Sequence, residues 1–384
     1  MRQVLDFVII GGGLAGCLTF QALKRQNPRL NIHLFEKNAR LCGNHTWCFH
    51  DSDIPVGADT WLRPLISKTW TEQEVHFPEY SRTLAAPYHC LRAEDLDRST
   101  QELAGEALHL NAELEKVTET PEGLHELHFK GIAEPILAHS YLLARGWKPI
   151  EDPKTAGWQK FVGLEVKLKA PHGLSRVILK DVRIPQIDGY RFFYVLPFSP
   201  TELLIEDTYY SNHAGLKIER IEKEVLAYAQ KNGWEIAEIQ RRESGALPLF
   251  LTMPEIQSSG SPEIGAESMF VHPVTGYSTP MTLRMIQSLL EKSNLTLPSL
   301  KKVFRKNWER EKSKIQYLIL LNRMMFLAAK NETRYKILER FYTFPEPMID
   351  RFYSGNLTWY DRVRILTGKP PVPIADAVRA LRGP

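Results

Sequence analysis

The sequence predicts an α/β protein with a β-rich middle and a helical C-terminal quarter, and three observations predict it. The chain opens with an apolar run at 6–10, a glycine-rich turn at 11–16 and a helical stretch at 17–26. Residues 156–210 fall into short β-like runs. From 297 onward apolar residues recur at roughly helical spacing, as in Phe304, Trp308, Ile315, Leu318 and Ile319. The 384 residues are 43% hydrophobic and 24% charged, an ordinary globular composition that excludes a disordered tail or a fibrous repeat. Four cysteines cannot staple a chain of this length, so a disulfide scaffold is excluded too. At about 150 residues per domain, two or three domains are expected.

Each element has a local reason. Residues 6–10 are mostly apolar, which suits a strand buried in a parallel sheet. The following helix ends near Asn27-Pro28, since proline cannot continue it. A second strand at 32–35 carries Glu36 at its end. A helix is expected at 93–104 and strands within 107–130. Four further strands are expected at 161–168, 175–179, 190–196 and 201–205. An amphipathic helix at 216–231 is closed by Asn232-Gly233. A helix begins near Thr279, and a Pro-rich stretch, Lys369 to Pro373, precedes a short last helix. The expected domains are a nucleotide-binding part at 1–150 completed by about 260–295, a β-rich substrate region at 151–259 and a basic helical region at 296–384.

Gly11-x-Gly13-x-x-Gly16 lies between a strand and a helix, and Glu36 follows Gly16 by 20 residues. Gly11 allows the tight turn, Gly13 lets the backbone approach a pyrophosphate, and Gly16 lets the helix pack closely on the strand. The helix N-terminus offers N–H donors, and the Glu36 carboxylate suits ribose hydroxyls. This is a Rossmann-like dinucleotide site. Its place at the start of the chain favours FAD over NAD by fold analogy. Cys42, His45, Cys48 and His50 fall within nine residues, but their spacing matches no closed zinc site, so no metal is expected. Their loop is placed to line the cofactor pocket.

Charge is unevenly spread. Residues 301–384 hold 18 basic and 8 acidic residues, a net +10, while the first 300 are net −6. Such a region suits anionic phosphates, of nucleic acid or of lipid. The longest apolar stretch, 317–329, contains Asn322 and Arg323 and is shorter than the ~20 residues a membrane span needs. No secretory signal is visible, and a cytoplasmic protein is expected.

Several strings then point to a family: GNHTW at 43–47, GYRFFYVLP at 189–197, LLIEDTY at 203–209, HPVTGYS at 272–278, NRMMFLA at 322–328, RFY at 340–342 and RVRILTGKPPVP at 362–373. In this order and spacing the chain resembles the bacterial lycopene β-cyclases, flavoproteins of carotenoid synthesis, nearly end to end. The resemblance implies an α/β fold with a Rossmann-like FAD-binding domain, an inserted β-sheet substrate domain and a helical C-terminal region. It implies ring closure at both ends of lycopene, through γ-carotene to β-carotene. The reaction is an isomerisation that uses reduced FAD, kept reduced by NADPH or NADH. Glu206 maps onto the family's essential acid, with Asp207 beside it. From the residues alone, Glu206 reads either as an exposed carboxylate at a strand end or as an acid in a dry site. Phe192, Phe193 and Tyr194 are expected against the polyene, although alternation along a strand turns at least one of them away. His272, Pro273, Thr275 and Gly276 are expected against the flavin. Lycopene lies in the bilayer, so the basic C-terminal region, with Trp308 and Trp359, is expected to dock on the anionic inner face of the cell membrane; nothing else in the chain supports nucleic acid. No oligomeric state follows.

The chain departs from the pattern twice. A DGRG-like string is here Leu143-Ala144-Arg145-Gly146, and an Arg-Ala-Gly-like run is here Glu267-Ser268-Met269. Lost hydrogen bonds or added repulsion near a phosphate are expected to weaken flavin binding. The alternative functions are an FAD-dependent oxidoreductase or hydroxylase on an apolar substrate, and a catalytically impaired carotenoid-binding homologue.

Overall fold

A computed structural model describes residues 3–147, 150, 152–253, 261–368 and 372–384. The first apolar run forms the strand Phe7–Ile10, with every residue buried. It lies inside a four-stranded parallel sheet ordered Tyr141–Leu143, Phe7–Ile10, Ile32–Phe35, Leu108–His109. Burial on both faces explains why the run does not alternate. The helix Leu14–Gln26 covers this sheet through Cys17, Leu18 and Phe20, and the helix Thr279–Leu290 packs beside it. Ala93–Ala104 and Ile218–Lys231 are helical, as the periodicity predicts.

The second layer is a seven-stranded sheet ordered Ile236–Phe250, Ala156–Leu168, Glu202–Ser211, Tyr190–Ser199, Val177–Asp181, Gln73–His76, Ser81–Leu84. Its pairs are antiparallel except Val177–Asp181 with Gln73–His76. Its last two strands come from inside the first 150 residues. Their sequences, QEVH and SRTL, are too polar and short to announce a strand; pairing along the sheet edge makes them one.

Two strand ends differ from the sequence reading by five residues or more. The strand expected at 161–168 begins at Ala156, and the one expected to stop at 205 runs to Ser211. Glu206 therefore sits in mid-strand rather than at an end. Adjacent polar residues, Asp207 and Thr208, mimic a strand terminus, but both are fully buried with hydrogen-bond partners, so pairing continues.

The C-terminal region is the 27-residue helix Leu297–Arg323, a π-helical turn at Met324–Ala328, and the helices Tyr335–Phe341, Glu346–Tyr353, Trp359–Leu366 and Ile374–Leu381. Part of the Pro-rich stretch, Lys369 to Pro371, lies outside the described residues. Leu318, Met325, Phe341 and Phe352 share one apolar core with Phe192, Leu196 and Leu204 of the large sheet. Among the described residues, no helix is long and apolar enough to cross a membrane.

Candidate active site

A single cavity of about 760 Å³ runs from the glycine-rich turn to one face of the seven-stranded sheet. At its first end, Gly16 is sealed in: a Cβ there would lie 1.8 Å from Gly11 O. Gly13 is the opposite case. A Cβ there meets no protein atom within 4 Å, so its missing side chain leaves cavity space rather than packing space. No side chain caps the helix at Gly13, which leaves first-turn N–H groups for an acceptor. Glu36 accepts hydrogen bonds from Gly12 N at 2.6 Å and from Asn38 N at 2.8 Å, which fixes its carboxylate on the cavity wall. This donor set fits a dinucleotide, with pyrophosphate at the helix start and ribose at Glu36.

The two departures meet each other. Arg145 and Glu267 form a two-pronged ion pair, with Arg145 Nε 3.0 Å from Glu267 Oε2. Glu267 is thus neutralised locally, and Arg145 and Gly146 remain on the cavity wall. The expected repulsion from an added acid is answered by a partner 122 residues away, which no local reading finds.

The HPVTGYS loop divides. Thr275 and Gly276 line the cavity; His272 and Pro273 do not. Burial lowers the His272 imidazole to about 4, so it is neutral near pH 7, and its ring bonds the Phe352 carbonyl at 2.8 Å. Pro273 O accepts from Asn322 at 2.6 Å. These two residues tie the loop to the C-terminal helices, which positions Thr275, Gly276 and Tyr277. Thr279 starts its helix at the wall, with Ser278 not capping it.

At the sheet end, alternation decides. Phe192, Tyr194 and Glu206 face the cavity. Phe193 faces away and stacks on Tyr228, 3.9 Å between ring centroids, in a separate core. Asp207 also faces away, fully buried, gripped by Arg191 at 2.7 and 2.9 Å and by the Tyr209 hydroxyl at 2.8 Å. Phe193 and Asp207 therefore do not face the cavity, and each is held by partners on the other side of the sheet. Tyr88, Tyr210 and Tyr353 complete an aromatic wall, with the Tyr194 hydroxyl 3.1 Å from that of Tyr88.

Glu206 stands among these rings. The surface it retains is cavity wall, and burial, reinforced by the Glu243 charge, raises its carboxyl to about 8. Its Oε1 accepts from the Thr208 hydroxyl. At neutral pH it is mainly the protonated acid, set among aromatic rings. Lys180, also on the wall, lies with Nζ 3.8 Å from the Phe192 ring centroid, and burial lowers its amine to about 7 against the pull of Glu206. Lys180 and Glu243 were not legible as site residues. Lys180 follows an apolar run like any strand-end lysine, and Glu243 sits in the charged string RRES.

The GNHTW string joins the two halves of this site. Asn44 and Thr46 both bond Arg241, at 3.1 and 2.7 Å, and Thr46 also donates to Glu243 at 3.0 Å. Cys42, His45, Cys48 and His50 lie along the cavity wall.

The family model described as lycopene cyclase protein matches residues 6–379. The chain is 37% identical to the lycopene beta-cyclase of Pseudescherichia vulneris, over 98% of this chain and 96% of that protein. It is 34% identical to the lycopene beta-cyclase of Pantoea ananas, over 99% of each. Two solved structures share the fold. One is a geranylgeranyl bacteriochlorophyll reductase-like protein from Thermoplasma acidophilum, with TM-score 0.61 and 11% identity over 100% of this chain and 99% of that one. The other is a probable FAD-dependent monooxygenase from Pseudomonas aeruginosa, with TM-score 0.60 and 15% identity over 86% and 98%. The match along almost the whole length, on a fold in which one cavity joins a dinucleotide turn to the Glu206 carboxyl, leads to one conclusion: this chain belongs to the lycopene cyclase family.

Proposed function

We propose that the protein is a lycopene β-cyclase that converts lycopene through γ-carotene to β-carotene. The observation that carries this is Glu206, a half-buried carboxyl raised to about 8 by desolvation on the aromatic wall of a cavity continuous with the dinucleotide turn. Protonating an alkene needs a positioned donor that still holds its proton at neutral pH, and the cation that results needs electron-rich neighbours. Glu206 gives its proton to C2 of the terminal alkene, leaving a tertiary cation at C1. The C5=C6 double bond closes the six-membered ring, and loss of the C6 proton gives the β-ring. Phe192, Tyr194, Tyr88, Tyr210 and Tyr353 exclude water and offer ring faces to the cation.

Gly11, Gly13, Glu36, Thr275 and Gly276 would hold FAD, and Gly16 lets the helix pack against the glycine turn that forms this wall. Bound reduced FAD, replenished by NADPH or NADH, supplies an electron-rich ring system that stabilises positive charge without net electron transfer.

Docking on the anionic cytoplasmic face of the membrane brings the substrate. Trp359, Val363 and Leu366 are exposed at i, i+4 and i+7 of their helix, and Ile374, Val378 and Leu381 repeat that spacing on the last helix. Trp359 is 78% exposed. Arg362, Arg364, Arg379 and Arg382 flank these stripes, as suits an interfacial helix pair on anionic lipid. Trp308 is not part of this face; it packs edge-on against Phe270.

Expression in lycopene-producing cells followed by pigment chromatography tests the reading. The expected product is β-carotene, made anaerobically with reduced FAD and no stoichiometric use of NAD(P)H. An oxygenated carotenoid would assign a hydroxylase, and bound but unchanged lycopene an inactive binder.

A further inference from the structure

On the sheet face that walls the cavity, Glu206 is in register with Gly163, and Gly163 with Glu243. Two strand spacings, about 10 Å, separate the glutamate backbones. The residue between them has no side chain. A Cβ on Gly163 would lie 3.0 Å from Glu243 Cγ and 3.2 Å from its Oε1, so the Glu243 side chain leans over the glycine. Both carboxyls reach the same cavity.

Their settings differ. Glu243 Oε2 accepts from Arg241 Nη1 at 2.8 Å and from Thr46 Oγ1 at 3.0 Å, two donors that favour the anion. Glu206 has the Thr208 hydroxyl. Burial raises both carboxyls, but Arg241 and Thr46 oppose the rise at Glu243, whereas the Glu243 charge adds to it at Glu206. Neighbouring carboxyls with unlike donor sets, one held by a guanidinium and a hydroxyl and the other by a hydroxyl alone, can divide acid and base roles.

We propose that Glu243 is the base of the cyclisation, taking the C6 proton after Glu206 has protonated C2. This rests on the cyclase reading. The Glu206 O–H bond breaks and a C–H bond forms at C2. The C5=C6 electron pair forms the C1–C6 bond and leaves the cation at C5. The C6–H bond then breaks, its electrons restore C5=C6, and its proton joins the Glu243 carboxylate. One proton is given and one received, and proton exchange between turnovers resets the pair. A C5 cation also has protons to lose at C4 and on its methyl group, so the position of the base selects the β-ring.

The test compares wild type, Glu243→Gln and Gly163→Ala, each loaded with reduced FAD and given lycopene in liposomes. Flavin absorbance and thermal melting identify folded protein, and Arg241 keeps Glu165 as a partner at 2.9 Å in the first variant. Glu243→Gln is expected to close rings about 10²-fold more slowly or worse, with rings other than β in what remains. Gly163→Ala keeps the charge but displaces it, and is expected to shift ring type in the same direction; it carries the test if Glu243→Gln does not fold. A Glu243→Gln protein that makes only β-rings, at any rate, overturns the base role, because a merely structural residue slows turnover without changing which proton leaves. A wild type that closes no rings removes the cyclase reading, and this inference with it.

Discussion

Replacing Glu206 by glutamine removes the acidic proton, and with it the anion left when that proton departs, while keeping the side chain's shape. The magnitude follows from the burial. A carboxyl at its ordinary value of 4.5 is about 0.3% protonated at pH 7; raised to about 8 it is about 90% protonated, so the fold multiplies the acid form about 300-fold. The amide carries no acid at all, and ring closure is expected to fall on the order of 10³-fold or more, with flavin binding intact. In the wild type, the rate should fall as pH rises through about 8, where Glu206 ionises. Stability moves the other way. A carboxyl whose folded pKa is raised binds its proton more tightly in the folded state, so its contribution is full below about 4.5 and lost as pH rises through about 8. At 1.36 kcal/mol per unit the loss reaches about 5 kcal/mol, a ceiling because water in the cavity screens the ion. Glu206→Gln should therefore be inactive yet melt higher than wild type at pH 8, with the gap closing below pH 5. Anaerobic turnover followed by chromatography at pH 6 to 9, with melts at pH 5 and 8, measures both. A flavin-loaded variant making β-carotene at near wild-type rate refutes the reasoning, as does a wild-type rate that stays flat through pH 8.

The two motif glycines should separate binding from folding: Gly13→Ala is expected to melt like wild type but bind FAD weakly, whereas Gly16→Ala, colliding with Gly11 O, should fold poorly with or without FAD. Asp207→Asn weakens the pair with fully buried Arg191 and is expected to cost about 3 kcal/mol in denaturant unfolding, while the folded fraction keeps its turnover per flavin; selective loss of turnover would return Asp207 to the site. Met269 has φ +62°, at the position where the related run carries glycine, so Met269→Gly should stabilise the fold by about 1 kcal/mol in the same measurement. Flotation should recover the protein with anionic but not neutral liposomes, and Trp359→Ser with Leu366→Ser should abolish recovery; equal recovery of wild type and variant removes those helices from the docking face.

The sequence by itself determined what depends on near neighbours along the chain. The strand Phe7–Ile10, its glycine turn and the helix Leu14–Gln26 were legible because turn geometry and apolar runs are local. So was the amphipathic helix Ile218–Lys231. Alternation along GYRFFYVLP showed that its aromatics divide between two faces, though not which face is the cavity. The tertiary structure alone decided the company each side chain keeps. It paired Arg145 with Glu267, placed Glu206 in mid-strand, and set Gly163 between Glu206 and Glu243. It also turned His272 to the C-terminal helices, and of Glu206 and Asp207, which alternation sets on opposite faces, it gave the cavity to Glu206. These are consequences of register between strands far apart in the chain, and register is set by the summed burial and hydrogen bonding of whole strands. A carboxyl becomes an acid at neutral pH only through what surrounds it, and the surroundings of Glu206 come from strands, loops and helices that no local pattern connects.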